Sequence, residues 1–217
     1  MGTLPIGHRE LIENLRRAKV LQDMDEQKFN PTRLAIVACS DGQRLPEITT
    51  FHLRLAENQM PGAGLDSCCI HTLALNGGGL LLAEESPVVN PNLREDRVFH
   101  QHLCDAIRIK GLDANGERPT VVLYTHMPCG AAELHDLDPL EQMELIALAK
   151  DRLKTAHPAW RILLCVHVHY PTNGREEAKP RTYHFSRKHL QAWLADSYSS
   201  GLIFRTRSRH GLAAARA

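Results

Sequence analysis

Residues 34–39, Leu-Ala-Ile-Val-Ala-Cys, and residues 119–126, Pro-Thr-Val-Val-Leu-Tyr-Thr-His, decide the fold. Each is a short apolar run rich in β-branched side chains, without the alternation that a strand with one wet face carries. Unbroken runs of this kind suit strands of a parallel sheet covered on both faces. With helical patterns between the strands, the expected architecture is α/β: a three-layer α/β/α sandwich on a mainly parallel sheet with an antiparallel edge hairpin. Open sheets of this class collect their sites just past the carboxyl ends of the strands. Both runs end in chemistry, the first in Cys39-Ser40-Asp41-Gly42-Gln43-Arg44 and the second in His126-Met127-Pro128-Cys129-Gly130.

Further strands and helices extend outward from these two. Pro46 to Glu57 has a helical pattern, and Cys69 to Leu75 is a strand that ends in Asn76-Gly77-Gly78-Gly79. No Lys-Ser/Thr follows those glycines, which excludes a phosphate loop and favours a tight turn. Phe99 to Gly111 is a helix. Asp138-Pro139-Leu140-Glu141 joins a capping side chain, a proline in the first turn and an acid three residues on, so a helix starts there and runs to about Thr155. Trp160 to Tyr170 is a strand, Pro171-Thr172-Asn173-Gly174 turns, Thr182 to Phe185 pairs back, and Arg187 to Ser199 is the last helix. Ile6, Leu11, Ile12, Leu15, Ala18 and Leu21 mark one face of an N-terminal helical arm, which packs either on the domain or on a second subunit. The chain thus divides into the arm (1–30), the main domain (31–200) and a basic tail (201–217) of the kind that stays solvated and mobile.

At 217 residues the chain can bury a full core. Lys plus Arg (26) nearly balance Asp plus Glu (25), and a net charge of +1 makes no electrostatic case for nucleic acid. No stretch approaches the ~20 apolar residues of a membrane span, and no secretion signal opens the chain, so the expectation is no membrane and a cytoplasmic location. The six cysteines form no Cys-x-x-Cys pair and no regular framework, which argues against a disulfide scaffold. Cys68, Cys69, Cys104 and Cys165 read as small buried apolar residues.

Cys39, His126 and Cys129 are different. Two thiolates and an imidazole suit Zn2+, and three protein ligands with an open fourth position mark a catalytic rather than a structural site. The strongest rival is His167-Val168-His169, whose alternate imidazoles share a strand face and would take His184 as a third ligand. A solvated strand face is the simpler reading of that pair. His100 and His102, two apart on a helix, diverge. A nucleophilic cysteine with a histidine base is a weaker option, because the second thiol then has no role.

The two motifs resemble those of the beta-type carbonic anhydrases, whose zinc is held by the Cys of a Cys-x-Asp-x-Arg motif and by a His-x-x-Cys motif that ends in Gly. The likeness runs over roughly residues 30 to 185. It takes in Arg44-Leu45-Pro46-Glu47-Ile48 after the first motif and His126-Met127-Pro128-Cys129-Gly130-Ala131-Ala132 at the second. It implies a beta-carbonic-anhydrase-like zinc domain with Cys39, His126 and Cys129 as metal ligands. The implied activity is reversible hydration of carbon dioxide to bicarbonate by a metal-bound hydroxide, in a homodimer or higher homo-oligomer whose N-terminal arm wraps the partner. Asp41 would accept a hydrogen bond from the metal-bound water, and Arg44 would hold Asp41 off the metal. The family has its Arg two positions after the Asp, whereas Asp41 and Arg44 are three apart. If that breaks their pairing, Asp41 becomes a conditional fourth ligand and the chain a non-catalytic zinc-binding subunit. Hydrolysis of carbonyl sulfide or carbon disulfide at the same site is the other alternative, with Leu80 to Glu85 as a candidate wall of an altered channel. The family's Arg-Asn-Ala-Gly type of turn is reduced here to Asn76 and a glycine.

Overall fold

The computed structural model describes residues 6–24, 29–62, 68–170 and 181–199. The turn expected at Pro171 to Gly174 and the basic tail at 201–217 lie outside the described residues. The strands are β1 (Leu21–Asp23), β2 (Arg33–Cys39), β3 (Cys69–Leu75), β4 (Thr120–Met127), β5 (Arg161–Val168) and β6 (Arg181–Phe185). The helices are α1 (Ile6–Arg17), α2 (Arg44–Gln59), α3 (Glu95–Ile109), α4 (Gly130–Leu134), α5 (Pro139–Ala156) and α6 (Arg187–Ser199).

The strands form one sheet in the order β1-β6-β5-β4-β2-β3. From β3 to β5 the pairings are parallel, while β6 is antiparallel to both β5 and β1. The apolar runs are buried on both faces, as their lack of alternation requires. On one face Ala35, Val37, Val121, Leu123 and Leu164 pack with Phe99 and Leu103 of α3, Leu145 and Ile146 of α5, Leu190 of α6, and Ile12 and Leu15 of α1. On the other, Leu34, Ile36, Val122, Tyr124 and Leu163 pack with Ile48 and Leu55 of α2. Each fully buried Leu or Ile contributes about 1.5–3 kcal/mol. Helices therefore cover both faces, and the architecture is an α/β sandwich.

The cap expected at Asp138 is present: the Glu141 amide donates to Asp138 Oδ1 at 2.9 Å, and the Asp138 amide donates to Glu141 Oε2 at 2.9 Å. Two expectations need correction. Leu21 belongs not to the N-terminal helix but to β1, which lies outside β6, so the proposed hairpin is one strand short of the edge. Lys19 adopts a left-handed φ of 57°, and the Val20 and Lys19 amides donate to the Leu15 and Arg16 carbonyls, both at 2.9 Å. That closing motif is usually announced by glycine, and here no glycine marks it. The helix before it folds back onto its own chain, with Ile12 and Leu15 fully buried in the sheet's core. The second correction is the strand end: β4 continues to Met127, so His126 lies within the strand rather than past it.

Candidate metal centre

β2 and β4 are parallel neighbours with Val37 opposite Leu123, a register that carries Cys39 level with Thr125. The carboxyl ends of the two apolar runs therefore meet. Cys39 is the last residue of β2, His126 the penultimate residue of β4, and Cys129 sits just before α4. Their ligand atoms, two Sγ and an imidazole nitrogen, all lie within 4.8 Å of one another. Zn–S of about 2.3 Å and Zn–N of about 2.0–2.1 Å set tetrahedral edges of roughly 3.3–3.8 Å, so small adjustments would seat an ion. The three residues are 7%, 1% and 2% exposed.

The donor set fits a metal ion on a second count. Both ring nitrogens of His126 are buried without a hydrogen-bond partner, a costly state for a polar group unless a ligand or ion satisfies it. The thiols share a proton: the hydrogen bond from Cys129 draws Cys39 down to about 4 against the opposing effect of burial, with His126 and the Gly77 amide assisting. The same bond pushes Cys129 upward. Gly77 N–H donates to Cys39 Sγ at 3.4 Å, so one ligand has a fixed backbone donor.

The glycine run is part of this construction. Gly77 and Gly78 have φ of 90° and 51°, as a tight turn demands. A Cβ on Gly78 would sit 2.3 Å from the Cys39 nitrogen, and one on Gly79 would sit 2.8 Å from the Tyr124 oxygen. The turn thus lays bare backbone across the ends of both ligand-bearing strands. Leu80, Leu81 and Leu82 follow in a 3-10 turn and enter the core, leaving Glu84 and Glu85 exposed.

Asp41 and Arg44 do not pair as the resemblance implies. Asp41 Oδ1 accepts from the backbone N–H groups of Gln43 and Arg44, both at 2.9 Å. Burial pushes this carboxyl up, but the two amides outweigh it and hold it below the usual carboxylate range. Asp41 lies outside the mutually close set of Cys39, His126 and Cys129. The Arg44 guanidinium points elsewhere: Nη1 donates to both Glu47 oxygens, at 3.2 and 3.3 Å, and to His169 Nδ1 at 2.7 Å. The physical reason is the longer loop. It makes Arg44 the first residue of α2, where the residue three positions on shares its face.

His167 completes this network. It pairs in register with His126, donates from Nε2 to Glu47 Oε2 at 3.0 Å, and accepts at Nδ1 from the Thr182 hydroxyl at 3.0 Å. Burial takes its pKa down to about 4, so the ring is neutral at pH 7 and this donor and acceptor assignment is consistent. His167 is therefore buried rather than solvated, His169 is partly exposed, and among the described residues His167, His169 and His184 do not gather as a metal set. Sequence reading missed Glu47 and the use of His167. The only local signal was the Arg44 and Glu47 spacing. His100 meets Cys104 and His157 rather than His102.

Among the described residues no helix is long and apolar enough to cross a membrane. No family model, no curated protein and no solved structure matches the chain.

Proposed function

We propose that the chain is a zinc enzyme that reversibly hydrates carbon dioxide to bicarbonate, with Cys39, His126 and Cys129 as its metal ligands. The observation that carries this reading is the buried, convergent pair of thiols with a histidine whose two nitrogens lack any other partner. When bound there, zinc supplies Lewis acidity that brings the ionisation of water from about 15.7 towards about 7.

The chain's own residues do the rest. Cys39 and Cys129 offset the metal charge, and the Gly77 amide steadies the Cys39 sulfur. Asp41 stays ionised at neutral pH and would accept a hydrogen bond from water held beside the three ligands, which would orient its lone pair. The amides of Gln43 and Arg44 hold Asp41 Oδ1 at the start of α2, a restraint that replaces the guanidinium of the family pattern. Arg44, Glu47, His167 and His169 form a fixed polar wall beside His126. The reading assumes a reducing cytoplasm, which suits six cysteines that form no disulfide among the described residues, and the homo-oligomer implied by the resemblance.

A second reading, a non-catalytic zinc-binding subunit with Asp41 as fourth ligand, draws on the missing contact between the Arg44 guanidinium and Asp41. Stopped-flow hydration of carbon dioxide by the zinc-loaded protein, on both sides of pH ~7, separates the two. Zinc-dependent turnover that rises with pH is the expected result. Asp41→Asn should keep its zinc and lose about 10–100-fold in rate. Undiminished rate in that variant would remove Asp41 from the mechanism. Bound zinc without turnover would refute carbon dioxide hydration, and assays with carbonyl sulfide and carbon disulfide would then separate sulfur chemistry from the non-catalytic reading.

A further inference from the structure

We infer that His100, Cys104 and His157 form a second transition-metal site, suited to a borderline-soft divalent ion such as Zn2+ or Co2+. It is independent of the proposed enzyme centre and lies at the other end of the sheet. Cys39 and His126 stand at the carboxyl ends of parallel strands, whereas His157 closes α5 just before β5 begins at Arg161.

His100 and Cys104 are four apart on α3, one turn above each other on the same face. His157 faces them from the C-terminal cap of α5, where its N–H donates to the Leu153 carbonyl at 2.8 Å. Its ring is stacked on Trp160 with centroids 3.8 Å apart and planes 8° from parallel, which fixes the direction of its nitrogens. His157 Nε2 lies 2.9 Å from His100 Nε2 and 3.5 Å from Cys104 Sγ, and the ligand atoms of all three residues fall within 4.8 Å of one another.

An imidazole nitrogen has one in-plane lone pair or one N–H, so at His157 Nε2 the contacts to His100 and Cys104 compete for that single site. An ion among the three atoms removes the conflict. Around tetrahedral zinc the S···N edge is about 3.6 Å and the N···N edge about 3.3 Å, given the usual bond lengths. The first is already present and the second needs an opening of under about half an ångström. Asp105 adds negative charge beside Cys104, while near His100 the charge of Asp96 is offset by Arg152, its ion-pair partner at 2.9 Å. His100, Cys104 and His157 are only part-buried, so ions can reach the site. A bound ion would cross-link α3 to the connection between α5 and β5.

The test is a Co2+ titration of chelator-stripped, full-length protein, read by the absorption of tetrahedral Co2+ and by bound metal per chain. Wild type should bind two ions, and Cys104→Ser and His157→Ala one each. If the Cys39 centre takes no metal, wild type should bind one and Cys104→Ser none, which supports this site while refuting the proposed enzyme centre. Equal stoichiometry in wild type and both variants would overturn the site. Unmodified protein provides a check that does not depend on variant folding. Zn2+ should slow alkylation of Cys104 by iodoacetamide, followed peptide by peptide, at least tenfold, and an unchanged rate at saturating Zn2+ would overturn the site.

Discussion

Replacing Gly78 by alanine tests how the ligand-bearing strands are held. The residue has φ of 51°, and its added Cβ would sit 2.3 Å from the Cys39 nitrogen and 2.4 Å from the Ala38 carbonyl carbon. Both neighbours are backbone of β2, so no flexible side chain can swing away. The left-handed conformation costs roughly 1–2 kcal/mol for a residue with a Cβ. The overpacking adds about 1–3 kcal/mol, for an expected total of about 2–5 kcal/mol. Gly116 is the control: its φ is 74°, and a Cβ there would meet nothing within 4 Å. Gly116→Ala should therefore lose only about 1–2 kcal/mol. Urea unfolding gives both values, provided the slope with denaturant is unchanged. Because relief of the clash moves the Cys39 end of β2, Gly78→Ala should also lose bound zinc, whereas Gly116→Ala keeps it. Equal destabilisation of the two variants with full zinc in both would refute the close-packed glycine turn as a support of the site.

Glu47→Gln should destabilise the protein by about 1–3 kcal/mol at pH 7, because it strips Arg44, only 6% exposed, of its carboxylate partner. Burial pushes the Glu47 carboxyl up, but His167 and Arg44 overcome this and hold it below its usual value. Its contribution is thus present above the unfolded pKa and disappears as pH falls through the folded one. The gap between wild type and Glu47→Gln, measured by urea unfolding, should close below about pH 4; a gap that persists there would contradict the pairing. His52 and His167 work in a different window. Burial holds both near 4, so on acidification the unfolded chain takes up protons first, and stability falls from about pH 6.5 down to about 4 and then levels off. The slope is at most about 1.4 kcal/mol per pH unit for each ring. His52→Gln should show a shallower slope than wild type, and identical slopes would show that His52 is not buried neutral.

The parts of the fold that were legible were those set by local pattern. The run at residues 34–39, the strand Cys69–Leu75 and the helix Arg187–Ser199 lie where their composition put them, and Asp138 caps α5 as its spacing implied. β1 escaped because Lys19 turns the chain left-handed without a glycine to show it. The close grouping of Cys39, His126 and Cys129 was visible because these residues end two apolar runs, and a parallel register then brings those ends together. What surrounds it depends on distant contacts. Glu47 reaches His167 across 120 positions of chain, and no local pattern encodes that distance. Cys104 looked like a spare apolar thiol because its partner His157 comes from another helix end.

Loss of labelled oxygen from carbon dioxide into water, followed by mass spectrometry with the zinc-loaded protein, tests the central claim most directly. Zinc-dependent exchange well above the uncatalysed rate, abolished in Cys129→Ser, is the expected result. Exchange at the uncatalysed rate, with zinc bound by Cys39, His126 and Cys129, would contradict it.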